Sequence, residues 1–239
     1  MAVYAIADLH LSFALTNKKM DIFGSLWNNH PARIEEAWRL LIQPSDIVLL
    51  AGDISWAMTL EEVMADLCWI DQLPGLKVII RGNHDYWWPS IKKLEKVLPP
   101  SIKAIHHSSF NINDISICGT RLWDSPTYGF ASLYNKIRKP YPEEDLKIYH
   151  RELGRLEISL KLLNPLATHK IAMTHYPPIS LDLAPSESSE LFERYGVSQV
   201  VFGHLHCLTV GKVCFGKARG VNYHLTACDF LDFKPLRIL

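Results

Sequence analysis

The chain has 239 residues, 48% hydrophobic and 21% charged, and its 25 Lys and Arg balance 25 Asp and Glu. That composition excludes wholesale disorder, and a chain of this length buries enough surface to need no disulfide framework. The zero net charge argues against a general binder of nucleic acid or membrane surfaces, which carries a basic excess.

The N-terminus, MAVYAIADLHL, is too short in apolar residues for a secretory signal and lacks a basic start. No run offers the ~20 apolar residues of a membrane span. Cys68, Cys118, Cys207, Cys214 and Cys228 are odd in number and have no Cys-x-x-Cys spacing, which reads as reduced thiols. A cytoplasmic protein is expected, with one domain over 1–239 and an oligomeric state left open.

Apolar runs at 2–7, 47–51, 77–80, 115–118, 170–173 and 199–202 predict strands with both faces covered. Pro31 opens a predicted helix over 32–42, with Ile34, Ala37, Trp38 and Leu41 on one face. Thr59 and Glu62 form a capping box for a helix over 60–73. In 144–163, Leu146, Tyr149, Leu153, Leu156, Leu160 and Leu163 recur at helical spacing and predict a face packed on the core. A short helix over 187–195 stops at Gly196, and 220–239 reads as terminal strands. The segment 119–142 carries Pro126, Gly129, Pro140 and Pro142 and predicts a long loop near a functional face.

Ligand-type residues recur where the strands end: Asp8-Leu9-His10, Gly52-Asp53, Gly82-Asn83-His84-Asp85, His175, and Gly203-His204-Leu205-His206. In α/β sheets, sites form outside the carboxyl ends of strands, so these clusters converge on one edge. Residues at i and i+2 of an extended chain point the same way, as in Asp8 with His10 and His204 with His206. The glycines before Asp53, Asn83 and His204 permit tight turns. Two Asp, one Asn and four His are a mixed set that suits Mn, Fe, Zn or Co, and seven ligands fit two ions sharing a carboxylate. Gly-Asn-His-Asp alone arises by chance about once in 700 chains of this length.

In this order, the motifs D-x-H, G-D, G-N-H-D, H and G-H-x-H resemble the calcineurin-like metallophosphoesterase family. Trp87-Trp88 after Asp85-Tyr86 is similar to a bacterial subgroup of predicted phosphohydrolases. The resemblance implies an α/β fold of four layers, α/β/β/α, with two mixed sheets flanked by helices. It implies two divalent transition-metal ions, Mn, Fe or Zn with Mn favoured. One would be held by Asp8, His10, Asp53 and His206, the other by Asp53, Asn83, His175 and His204, with Asp53 bridging. The interval from Asp8 to Asp53 is long for the family pattern and marks 11–30 as an extra loop beside the site, together with 119–142.

The resemblance further implies phosphate-ester hydrolysis, of a monoester or a diester, by direct attack of a metal-bridging hydroxide. His84 would assist the leaving group and Asp85 would orient the His84 ring. Arg81, Arg121 and Trp123 are candidate substrate contacts, a guanidinium suiting phosphate and an indole an apolar leaving group. A small phosphorylated substrate is expected, with a protein substrate as an option and no nucleic acid. The alternative is a non-catalytic metal-binding scaffold of the same fold, and retention of every ligand and of His84 weighs against it.

Overall fold

In the computed structural model, which describes residues 1–137, 139–208 and 215–239, the strand-forming runs build two mixed sheets. The first has strands β1 (Val3–Ile6), β2 (Ile47–Leu50), β3 (Leu76–Ile79) and β4 (Ile102–Ala104), all parallel. β11 (Leu236–Arg237) closes its edge antiparallel to β1. The second sheet runs in the order β5 (Ser109–Ile112), β6 (Ile115–Thr120), β7 (His169–Thr174), β8 (Gln199–Phe202), β10 (Val221–Leu225) and β9 (Lys217–Ala218). β6, β7, β8 and β10 are parallel, and β5 and β9 are antiparallel edges.

Side-chain alternation assigns the layers. Val3, Ala5, Ile47, Leu49 and Val78 face Ile115, Ile117, Ile171, Met173 and Val201, forming the core between the sheets. The intervening Tyr4, Ile6, Val48, Leu50 and Ile79 point outward to α1 (His30–Leu41) and α2 (Leu60–Asp71). Cys118, Ala172, Val200 and Phe202 point the other way, to α4 (Glu143–Lys161) and α5 (Glu187–Arg194). The result is the expected four-layer α/β/β/α arrangement. The central strands are covered on both faces, which is why their runs lack polar alternation.

Most helix signals hold locally. Thr59 Oγ1 accepts from Glu62 N at 3.3 Å, and Glu62 Oε2 accepts from Thr59 N at 3.1 Å. The stripe on α4 buries Tyr149, Leu156, Leu160 and Leu163, but Leu146 at its first turn is partly exposed. α1 begins at His30 rather than Ala32, because the buried His30 ring bonds the carbonyls of Leu9 and Trp27 at 3.0 and 3.3 Å. The one-turn α3 (Ile91–Leu94), β4 and the edge strand β5 are too short for a periodic signal. Cys68, Cys118, Cys207 and Cys228 are free thiols, and Cys214 lies outside the described residues. Among the described residues, no helix is long and apolar enough to cross a membrane.

One buried charge ties the first sheet to a helix end. Lys77 of β3 is fully buried, and its Nζ donates to the carbonyls of Asp71 and Leu73 and to Ser101 Oγ. It thereby satisfies carbonyls that the end of α2 leaves unpaired. Burial pulls its pKa down to about 8, against an opposing pull from Asp71. The unfolded chain therefore binds the extra proton between about pH 8 and 10.5, so stability rises with pH across that window. Denaturant unfolding at pH 7.5, 9 and 10.5 should show this rise in the wild type and its absence in Lys77→Met. Parallel pH profiles would contradict it.

Candidate metal centre

The ends of β1, β2, β3, β7 and β8 bring the ligand-type residues to one edge. The sheets are joined there: Ala7 N donates to Thr226 O at 2.7 Å, and Cys228 N donates to Ala7 O at 2.9 Å. Asp8, His10, Asp53 and His204 all have positive φ, from 46° to 71°. That region is uncommon for residues with a Cβ, and clusters of such outliers mark functional sites. Backbone bonds hold the turns in place, from Asp8 N to Gly52 O at 2.9 Å and from His10 N to Asp53 O at 3.0 Å. Two glycines are required by close approach. A Cβ on Gly82 would lie 2.0 Å from Asp53 Oδ1, and one on Gly203 would lie 2.2 Å from Asp8 Oδ2.

Two groups of side chains offer converging ligand atoms, Asp8 with His10 and His206, and Asp8 with Asp53 and His175. Asp53 Oδ2 lies 3.5 Å from His175 Nε2 and 3.8 Å from His10 Nε2, so it reaches both groups. Asn83 Oδ1 is 2.6 Å from His175 Nε2 and 3.0 Å from His204 Nδ1. His10 Nε2 and His206 Nε2 stand 3.3 Å apart. The seven residues singled out by spacing thus sit in one cluster, with Asp8 as well as Asp53 between its halves.

The electrostatics of this cluster call for a cation. Asp8, Asp53 and Asp85 are buried, and among the described residues no Lys or Arg nitrogen comes within 4.0 Å of their carboxylates. Burial first, then the charges of Asp85 and Asp8, push Asp53 well above the usual carboxylate range. Burial holds His175 and His204 down to about 3 and lowers His10 as well, which leaves their lone pairs available as ligands. Burial also pulls His206 down, but Asp8 and Asp229 outweigh it and raise it well above the ordinary value. Mixed imidazole, carboxylate and amide donors around unpaired buried carboxylates fit divalent transition metals.

A family model described as calcineurin-like phosphoesterase matches residues 1–208. The chain belongs to the calcineurin-like phosphoesterase family. It is similar to the Gene 66 protein of Mycobacterium phage L5, 34% identical over 103 residues, 43% of this chain and 49% of the relative. It is also similar to the Gene 66 protein of Mycobacterium phage D29, 34% identical over 83 residues, 35% of this chain and 40% of the relative. The chain spans about half the length of the curated relatives it matches.

Among solved structures it resembles a protein of unknown function, AQ665, from Aquifex aeolicus, with TM-score 0.51 and 15% identity, covering 99% of this chain and 95% of that one. GAP50, the anchor in the inner membrane complex of Plasmodium, matches with TM-score 0.51 and 12% identity over 96% of this chain and 72% of that one. At such identities these two likenesses show the fold alone.

Within this phosphoesterase fold, the expected partnership of Asp85 with the His84 ring is not formed. Asp85 Oδ1 accepts from Ile54 N, Ser55 N and Trp87 Nε1 at 2.9 to 3.1 Å, and Oδ2 accepts from Gly82 N at 2.7 Å. Its oxygens are engaged in stitching the Asp53 turn to the Asn83 turn, and His84 Nδ1 has no hydrogen-bond partner among the described residues. Asp85 is therefore an organiser of two ligand turns. His84 sits at the mouth, about a third exposed, with Nε2 4.0 Å from Asp53 Oδ2 and its ring against Trp56.

The three candidate substrate contacts stand beside the cluster rather than in it. Arg81 Nε donates to Asp85 O at 3.1 Å, Arg121 lies over the Trp123 ring and 3.7 Å from Glu152, and Trp123 packs on Tyr176. Trp87 and Trp88 are core residues, whereas Trp56 stacks on His10.

Sequence reasoning missed Asp229, whose Oδ1 lies 3.0 Å from His206 Nδ1 and whose Oδ2 accepts from Cys207 N at 2.7 Å. It follows β10 as the other acidic residues follow their strands, and that position was its only signal. Both irregular segments wall the site. Met20, Phe23 and Trp27 come from 11–30, and Tyr134 OH from 119–142 donates to His206 O at 3.0 Å. Asp229→Asn should weaken metal binding about 10- to 100-fold, as loss of a carboxylate behind a ligating histidine does. Gly82→Ala should displace Asp53 and lower the metal content. Metal titration of both folded variants checks this, and wild-type affinity in either would contradict the geometry.

Proposed function

We propose that this protein hydrolyses phosphate esters with a pair of divalent transition-metal ions. Asp8, His10, Asp53 and His206 would hold one, and Asp53, Asn83, His175 and His204 the other. The observation that carries the reading is the cluster itself: buried carboxylates with no Lys or Arg against them among the described residues, opposed by four imidazoles and one amide oxygen. When bound, such a pair supplies charge to a phosphoryl group's oxygens and makes water acidic enough to act as a nucleophile near neutral pH.

The chain's own contribution is positioning and proton delivery. Asp53 orients both halves of the site, and Asp85 fixes the two turns that present Asp53 and Asn83. His84, held by Trp56 at the mouth, protonates or stabilises the leaving oxygen. Next to it lies a cavity of about 250 Å³ whose apolar walls are Met20, Phe23, Trp27 and Trp56. Its place beside His84 supports an ester whose leaving group has an apolar or aromatic body. The same cleft admits a small phosphorylated molecule or a side chain of a protein substrate.

The scaffold reading has one observation behind it, since the Plasmodium relative of the same fold is named as an anchor. Turnover separates the two. Metal-reconstituted protein should be assayed on p-nitrophenyl phosphate and bis-p-nitrophenyl phosphate with Mn²⁺, Zn²⁺ and Mg²⁺, with Mn²⁺ expected to be best. His84→Ala should lose about 10²- to 10⁴-fold in kcat and keep its metal. No hydrolysis of either ester by the fully loaded protein would favour the scaffold, and unchanged kcat in His84→Ala would remove that residue's role.

A further inference from the structure

Beside the metal centre lies a second cavity, of about 330 Å³, with a charge pattern the phosphoesterase reading does not use. Arg81, Arg121, Arg151 and Arg155 line it with His106 and Glu152. Glu152 is its buried floor. Its Oε1 lies 2.6 Å from Arg155 NH1, 3.7 Å from Arg121 NH2 and 3.9 Å from Arg151 Nε. Its Oε2 accepts from Thr120 Oγ1 at 3.0 Å.

Three guanidinium charges thus converge on one carboxylate while Arg81 lines the same cavity as a fourth, and among the described residues no second carboxylate comes within 4.0 Å of them. Burial pushes His106 down to about 4, with His107 and Arg155 acting in the same sense, so it adds a neutral imidazole. Arginine is costly to gather in excess, and its planar donor fork matches phosphate oxygens.

The cavity is tied to the metal centre through the backbone. Arg81 precedes Asn83 by two residues, so their Cα atoms are at most about 7 Å apart. The carbonyl of Arg121 accepts from His175 N and Tyr176 N at 3.1 and 3.0 Å. It therefore flanks the Asn83 and His175 half of the cluster, whereas the apolar cavity borders His10 and His206.

We propose that this arginine cavity is a binding site for a phosphate-class oxyanion, distinct from the metal centre and adjoining it. The anion is either a second phosphate group of the substrate or free phosphate. Binding there does not require turnover, and only the assignment to the substrate rests on the phosphoesterase reading.

Inorganic phosphate is titrated calorimetrically into the full chain, metal-loaded and after chelation. The site should persist after chelation. Arg151→Gln should weaken it about tenfold, a value in the range of one charge-assisted bond. Arg151→Glu, also at a largely exposed position, should abolish it, and Glu152→Gln should tighten it. Melting temperatures without phosphate confirm that each variant is folded. No binding to the chelated wild type, or binding that the Arg151 variants leave unchanged, would overturn the site.

The source is read from steady-state kinetics of the loaded enzyme. If the cavity takes a second substrate phosphate, Arg151→Gln raises KM for glucose 1,6-bisphosphate and not for p-nitrophenyl phosphate. If it takes free phosphate, the variant alters only the response of p-nitrophenyl phosphate turnover to added phosphate. An inactive wild type that still binds phosphate through Arg151 would fail the phosphoesterase reading and leave the site standing.

Discussion

Three carboxylates, Asp8, Asp53 and Asp85, are buried at the junction of two sheets, and among the described residues no lysine or arginine lies against them. Burying an ionised carboxylate costs several kcal/mol unless it is compensated. Asp85 is compensated by three backbone amides and the Trp87 indole. Among the described residues Asp8 and Asp53 accept one backbone amide each, from His204 and His84, and otherwise face imidazoles. Divalent cations held by the ligand groups would resolve this, and the rest of the edge is arranged around the same demand. Left-handed turns, a bare Gly82 and a bare Gly203 let the carboxylates approach neighbouring backbone.

The surroundings divide into two unlike sides. The segment between β1 and α1 supplies an apolar wall next to His10 and His84. The ends of β3 and β6, with α4, supply guanidinium groups next to the Asn83 turn and His175. Zero net charge for the whole chain hides this polarity, because the basic excess at the arginine cavity is balanced by acidic residues elsewhere in the chain.

The fold was legible in the sequence where burial is complete. β1, β2, β3, β7 and β8 are continuous apolar runs that end in ligand residues, so the strands could be read from them, whereas their division into two sheets came only from the family resemblance. β4, β5 and α3 were not legible, since three or four residues at an edge carry neither periodicity nor full burial. The ligand cluster was legible because its chemistry demands particular residue types at strand ends. The role of Asp85 was not, because proximity to His84 in sequence says nothing about which donors its oxygens meet. Arg81 and Arg121 were singled out as separate phosphate contacts. Their shared cavity depends on Arg151, Arg155 and Glu152 of α4, about thirty or more residues further along the chain, and no local pattern links them.

The proposed function requires Asp53 to stand between two metal ions. Electron paramagnetic resonance of the protein loaded with Mn²⁺ tests it most directly. Full loading should give two ions per chain and the spectrum of an exchange-coupled pair, and Asp53→Asn should lose that coupling. An isolated-ion six-line spectrum at saturation, with one Mn²⁺ per chain, would contradict the account.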